Sequence, residues 1–184
     1  HGYIVIASPS RGADSRYFSR NSLKNMEMQA QDIAFLIQES QHWPSADSDK
    51  IATLGFSYGG LSNVLAQIKH RAIKAVLSLD GSIKYQYATL QKSAFFDLSK
   101  MDVPFMHTAQ KAIPDSVLIT DQLDASLNTD FDFYDQLEWS NAFRLQFLDL
   151  THPYFSTLGL FFQERDPRQD KADMALLKSY RLLC

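Results

Sequence analysis

The stretch Ile51-Ala52-Thr53-Leu54-Gly55-Phe56-Ser57-Tyr58-Gly59-Gly60 decides how this chain folds. Its first half, within residues 50–56, is an apolar run of the kind that forms a buried strand. Its second half matches G-x-S-x-G at Gly55, Ser57 and Gly59. A helical pattern follows over residues 59–69, with Leu61, Val64, Leu65 and Ile68 on one side. A strand that turns sharply into a helix at such a serine holds it in a strained conformation with its hydroxyl outward. Side chains at Gly55 or Gly59 are expected to crowd the neighbouring backbone, and Gly60 adds a third small residue where the helix leaves the sheet. The helix start also aims N–H groups and the positive end of its dipole at the serine. The backbone N–H of Tyr58 is therefore the expected donor to an oxyanion formed there.

Outward from this turn, further apolar runs read as strands at residues 3–7 (YIVIA), Ile73–Leu79, 103–108 and 143–150. Residues 26–40 carry Met26, Ala30, Ile33, Ala34 and Ile37 at helical spacing, and residues 172–184 form an amphipathic helical stretch. Polar residues 8–25 and 42–49 read as connections. Strands alternating with helices imply an α/β fold, a mostly parallel sheet with flanking helices. At 184 residues the expectation is one domain spanning residues 1–184.

Composition narrows the function. The chain is 45% hydrophobic and 21% charged, ordinary for a globular protein. A net charge of −3 supplies no basic field for nucleic acid or an anionic membrane. No apolar run approaches the roughly 20 residues of a membrane span, so a soluble chain without a transmembrane segment is expected. The single cysteine, Cys184, is the last residue, so no internal disulfide can form; cytoplasm and secretion are both compatible with it. Residues 113–142 read as an acidic insertion between the last two strands, with seven acidic residues from Asp115 to Glu138 and no basic one. A solvated insertion is the plainer reading, and a negatively charged lid or rim the functional one.

A serine hydroxyl needs a base within hydrogen-bond reach, and the base needs an orienting acid. Three histidines follow Ser57: His70, His107 and His152. His70 ends a helical run and is expected in solvent. His107 lies inside a strand and is expected in packing. His152 directly follows the last strand, at the end where active-site groups of open α/β sheets gather, and is the expected base. The acid is either Asp80, at the end of Ile73–Leu79, or one of Asp115, Asp121 and Asp124 further on. Asp80 is favoured because it stands at a strand end and Gly81 lets the chain turn there; the plainer reading of Asp80 is a turn residue or cap.

At these residues the sequence resembles the alpha/beta hydrolase superfamily. It is similar to its dienelactone-hydrolase-like group and, more narrowly, to the platelet-activating-factor acetylhydrolase family. The resemblance rests on Gly2-Tyr3-Ile4-Val5-Ile6-Ala7-Ser8-Pro9 with Arg11-Gly12, on the glycine–serine turn, on Leu79-Asp80-Gly81 and on His152-Pro153-Tyr154-Phe155-Ser156. In the acetylhydrolase family the acid follows the strand after the elbow, where Asp80 stands, and an aromatic follows the histidine after two residues, where Phe155 stands. The resemblance implies an esterase acting on a small-molecule ester. Ser57 would attack the carbonyl, His152 would take its proton, and Asp80 would hold the imidazole. It implies no metal and no organic cofactor. The acidic segment has no counterpart in the family pattern.

The same resemblance makes residues 3–7 the fourth strand of the full fold and the elbow strand its fifth, with the third strand between them in space and absent here. The chain is thus expected to be part of a longer hydrolase, folding poorly and turning over slowly by itself. The loop after that third strand would supply a second oxyanion donor, whose loss typically costs about 3 kcal/mol. Two other readings compete: a thioesterase or peptidase of the same fold, and a catalytically inactive domain that binds a ligand or partner. Phe95, Phe96, Phe105, Phe131, Phe133 and Tyr134 are candidates for an acyl pocket, with core packing the plainer role. Phe155, Leu158, Leu160, Phe161 and Phe162 are expected to pack a helix on the sheet. Arg11 and Arg16 are expected in solvent, with a charged substrate group the alternative.

Overall fold

The strand that enters the glycine–serine turn is Ile51–Phe56 (β1), and the helix that leaves it is Tyr58–Lys69 (α2). In the computed structural model, residues 2–8 and 22–158, with Lys171 and Met174, are described. Helix α1 (Leu23–Ser40) precedes β1; β2 (Ile73–Leu79), α3 (Ile83–Leu90), β3 (Phe105–Ala109), α4 (Asp115–Thr120), α5 (Leu127–Asp130) and β4 (Ala142–Gln146) follow α2. The strands form one sheet in the order β1-β2-β3-β4, and every neighbouring pair is parallel. This is the α/β architecture that the alternation of strand and helix patterns implies. No helix among the described residues is long and apolar enough to cross a membrane.

Side chains alternate between sheet faces, so register fixes each residue's environment. Gly55, Ser78, His107 and Arg144 are successive partners across the four strands and share one face. On this side α2 packs against β1 and β2, and α1 packs against α2. The core there joins Met26 and Ala30 of α1, Leu61, Val64 and Leu65 of α2, Val76 of β2, Ile83 and Leu90 of α3, and Phe105 of β3. Burying each of the larger side chains contributes about 1.5–3 kcal/mol. On the opposite face Leu54, Leu77, Met106 and Phe143 form a row; Leu54 is 64% exposed and Phe143 62%.

Several expectations are corrected. Residues 3–7 form no strand, and Tyr3 is 89% exposed. A strand needs a hydrogen-bonded neighbour, and among the described residues none lies beside this run. The last strand ends at Gln146 rather than running to 150, because the chain leaves the sheet to carry Leu150 into a small second core with Tyr154 and Phe155. Helix α1 begins at Leu23, earlier than the apolar spacing indicates, because the Ser22 hydroxyl caps it by accepting from the Asn25 N–H at 3.2 Å. Leu158 is exposed instead of packed. Arg11, Arg16, Leu160, Phe161 and Phe162 lie outside the described residues, as does most of the helix expected at 172–184.

The acidic insertion is solvated and structural at once. All seven of its acidic side chains are exposed. Between them Phe133 and Leu137 are buried in the main core, with Phe131 and Tyr134 packed against it. Tyr87 of α3 meets Phe96, Phe131 and Phe133 edge-on at 5.5–5.9 Å. Five of the six candidate pocket aromatics are therefore core. Phe95 is the exception: it is exposed, with the Lys69 ammonium 4.2 Å above its ring.

Candidate active site

Ser57 sits between β1 and α2 with φ 55° and ψ −123°. An L-residue rarely adopts a positive φ, and holding one there costs about 1–3 kcal/mol. Three hydrogen bonds fix it. The Ser57 N–H donates to the Leu79 carbonyl at 3.0 Å, and the Ser57 carbonyl accepts from the N–H groups of Gly60 at 3.1 Å and Ser82 at 3.0 Å. Gly55 is needed for space, since a Cβ there would lie 2.5 Å from the Gly59 carbonyl oxygen and 2.6 Å from Asn63 Nδ2. Gly59 is not, because a Cβ there meets nothing within 4 Å. The crowding runs one way: the Gly55 Cβ would point at the Gly59 backbone, while the Gly59 Cβ would point away. Gly60 is needed, since its Cβ would lie 2.9 Å from Gly81 Cα. This close approach seats the start of α2 against the loop after β2.

That loop carries Asp80, whose φ is 43°. The turn is thus made by the aspartate itself, which tolerates the left-handed region better than most residues; Gly81 serves the contact with Gly60. Asp80 is 7% exposed. Its N–H donates to the Thr108 carbonyl at 2.7 Å, and its Oδ1 accepts from the Gln110 N–H at 2.9 Å. Its other oxygen, Oδ2, lies 2.5 Å from Nδ1 of His152.

His152 opens a short 3-10 helix, His152–Phe155, whose Tyr154 and Phe155 are buried beside Leu150. The buried pair anchors the loop, and the imidazole reaches back over the end of the sheet. Its Nε2 lies 3.0 Å from Ser57 Oγ. With Nδ1 donating to the carboxylate, Nε2 is the acceptor that faces the hydroxyl. Hydroxyl, imidazole and carboxylate thus stand in one hydrogen-bonded line, although 95 positions separate Ser57 from His152 and 72 separate His152 from Asp80. A line of this kind can pass the hydroxyl proton to imidazole while the carboxylate holds the ring and balances its charge.

Tyr58, the first residue of α2, is buried, and its phenol donates to the Ser22 carbonyl at 2.6 Å. Burial pushes that phenol up to about 12. Its side chain therefore ties α2 to the start of α1, leaving the backbone as the part of Tyr58 beside Ser57.

The remaining candidates stand elsewhere. Asp115 accepts from Asn128 Nδ2 at 2.6 Å and Asp124 from the Ser126 N–H at 2.9 Å; with Asp121, both are exposed. His107 is buried, as expected for a strand histidine, with Nδ1 3.0 Å from Ser78 Oγ. Burial pushes it down to about 4, so it is neutral at pH 7. His70 departs from the solvated reading: it is half-buried, its Nε2 is enclosed without a hydrogen-bond partner, and burial lowers its pKa.

Three residues escaped the sequence reading. Phe56 stacks on the His152 ring, Gln110 bonds both Asp80 and His152, and Ser82 Oγ lies 3.5 Å from Ser57 Oγ. Phe56 and Ser82 neighbour recognised motif positions, which is a usable signal. Gln110 carries none beyond following a strand. Among the described residues, no group of three or more His, Cys, Asp or Glu side chains is placed to hold a metal ion.

No protein-family model matches the sequence, and no curated protein matches it. Among solved structures the chain is similar to a dienelactone hydrolase-like promiscuous phosphotriesterase from metagenomic libraries. The TM-score is 0.55 at 14% identity, covering 92% of this chain and 71% of that one. The two share an α/β fold. At that identity the likeness is one of fold.

Proposed function

We propose that this protein is a serine hydrolase that cleaves a carboxylic ester through an acyl-enzyme, with Ser57 as nucleophile, His152 as base and Asp80 as the orienting acid. The observation that carries the reading is the pair of contacts on one imidazole: 3.0 Å from Nε2 to Ser57 Oγ and 2.5 Å from Nδ1 to Asp80 Oδ2.

In the first half-reaction the Ser57 hydroxyl proton passes to His152 Nε2 as Oγ bonds to the ester carbonyl carbon. The carbonyl oxygen becomes an oxyanion, for which the Tyr58 N–H is a donor at the start of α2. The intermediate collapses, the carbon–alkoxide bond breaks, and the departing alcohol takes the proton from Nε2. In the second half, water gives a proton to Nε2 as its oxygen attacks the acyl carbon; the carboxylic acid leaves and Ser57 regains its proton.

The same steps serve a thioester with a thiol leaving group. The fold neighbour is described as a phosphotriesterase, and an activated serine can attack phosphorus as well as carbon. The test is rapid mixing of the protein with p-nitrophenyl acetate. A burst of p-nitrophenol near one equivalent per chain, with an acetyl group on Ser57 by mass spectrometry, is expected. Absence of both from folded protein favours a binding domain.

A further inference from the structure

Resting on the reading of Ser57, His152 and Asp80 as a working set, we infer that Gln110 is the positioning residue that fixes base and acid relative to each other. It is the first residue after β3, and it reaches both partners with different atoms. Its backbone N–H donates to Asp80 Oδ1 at 2.9 Å. Its side-chain Oε1 accepts from the backbone N–H of His152 at 3.1 Å.

The second bond answers a specific need. His152 is the first residue of a 3-10 helix, so its N–H has no acceptor within that helix. Gln110 supplies that acceptor from the chain just beyond β3. The next residue reinforces it, since the Lys111 N–H donates to the Leu150 carbonyl at 2.9 Å. The chain at 110–111 therefore grips the loop at 150–152 on both sides of Thr151, while the same Gln110 holds the far oxygen of Asp80. A glutamine suits the place because it combines an acceptor with the reach to the neighbouring loop.

The role is one of alignment. Gln110 acts through His152 and Asp80, by holding Nε2 at its distance from Oγ. A shift of about 1 Å there costs on the order of a hundredfold in turnover. Gln110→Met keeps the length and removes the acceptor; Gln110→Glu keeps the acceptor. With p-nitrophenyl acetate, Gln110→Met is expected to lose roughly ten- to a hundredfold in kcat with KM within about twofold, and Gln110→Glu to stay within a few-fold of wild type. Amide hydrogen exchange at His152 should be slow in wild type and in Gln110→Glu and faster in Gln110→Met. Unchanged kcat in a folded Gln110→Met protein, or a Gln110→Glu protein as slow as Gln110→Met, overturns the inference. So does an unprotected His152 amide in wild type, a measurement that stands even where Gln110→Met does not fold. Failure of the hydrolase reading itself shows separately, as wild-type turnover that Ser57→Ala leaves unchanged.

Discussion

The imidazole of His152 lies over the ring of Phe56, with centroids 4.6 Å apart and planes inclined by 26°. Phe56 immediately precedes Ser57, so one turn presents both the hydroxyl and the surface on which the base rests. An aromatic pair of this kind contributes about 0.5–1.5 kcal/mol beyond burial. Phe56→Leu keeps apolar bulk and removes the stack. It should lower kcat/KM for p-nitrophenyl acetate by roughly two- to tenfold, and full retention would show that the stack does not hold the base.

Gly55 and Gly59 separate in a way the motif alone does not anticipate. Gly55→Ala drives a methyl into the Gly59 backbone and should destabilise the fold by about 1–3 kcal/mol or more. Gly59→Ala meets open space within a helix and should be neutral or stabilising by up to ~1 kcal/mol. Urea unfolding of the two variants decides the matter; equal destabilisation would contradict the geometry.

The carboxylate on His152 is Asp80, with Asp124 exposed in the insertion. Asp80→Asn should therefore lower kcat by roughly four orders of magnitude, the scale of losing the group that sets the imidazole tautomer. Asp124→Asn should retain kcat. Steady-state assays at pH 7 distinguish the two, and the reverse result would move the acid into the insertion.

His107 makes stability depend on pH. Burial is the main cause that lowers its pKa from 6.5 to about 4, with Asp80 opposing and Arg144 assisting. Between those values the unfolded chain binds a proton that the folded chain does not, so stability is full above about 6.5 and falls as pH drops towards 4. The loss is on the order of 3 kcal/mol. Urea midpoints measured across this window should fall more steeply for wild type than for His107→Gln. Identical slopes would show that His107 titrates normally.

What was legible in the sequence was whatever local chemistry specifies. The turn at Ser57 is written in glycine spacing, and the parallel sheet in unbroken apolar runs. Asp80 and His152 each directly follow an apolar run that reads as a strand, and strand ends converge in a parallel sheet; Asp80 does follow β2, whereas β4 ends at Gln146 and a loop carries the chain on to His152. Partners set by tertiary contact were not legible. The run at residues 3–7 has strand composition, but pairing requires a neighbour that composition does not encode. Gln110 looks like any polar residue after a strand, because its meaning lies in two loops far away in sequence. Leu137 sits among carboxylates, and charge count masks its place in the core, whereas core packing is already the plainer reading of Phe131 and Phe133. The G-x-S-x-G pattern makes Gly59 an equal of Gly55, whereas only the direction of each absent Cβ tells them apart.

The most direct test of a working serine is covalent. Treating the folded protein with a fluorophosphonate, which transfers phosphorus to an activated hydroxyl with loss of fluoride, should give one adduct, located on Ser57 by peptide mass spectrometry. It should be absent from Ser57→Ala and strongly slowed in His152→Ala. No adduct on wild type, an adduct on a different residue, or undiminished labelling of Ser57→Ala would contradict Ser57 as the nucleophile.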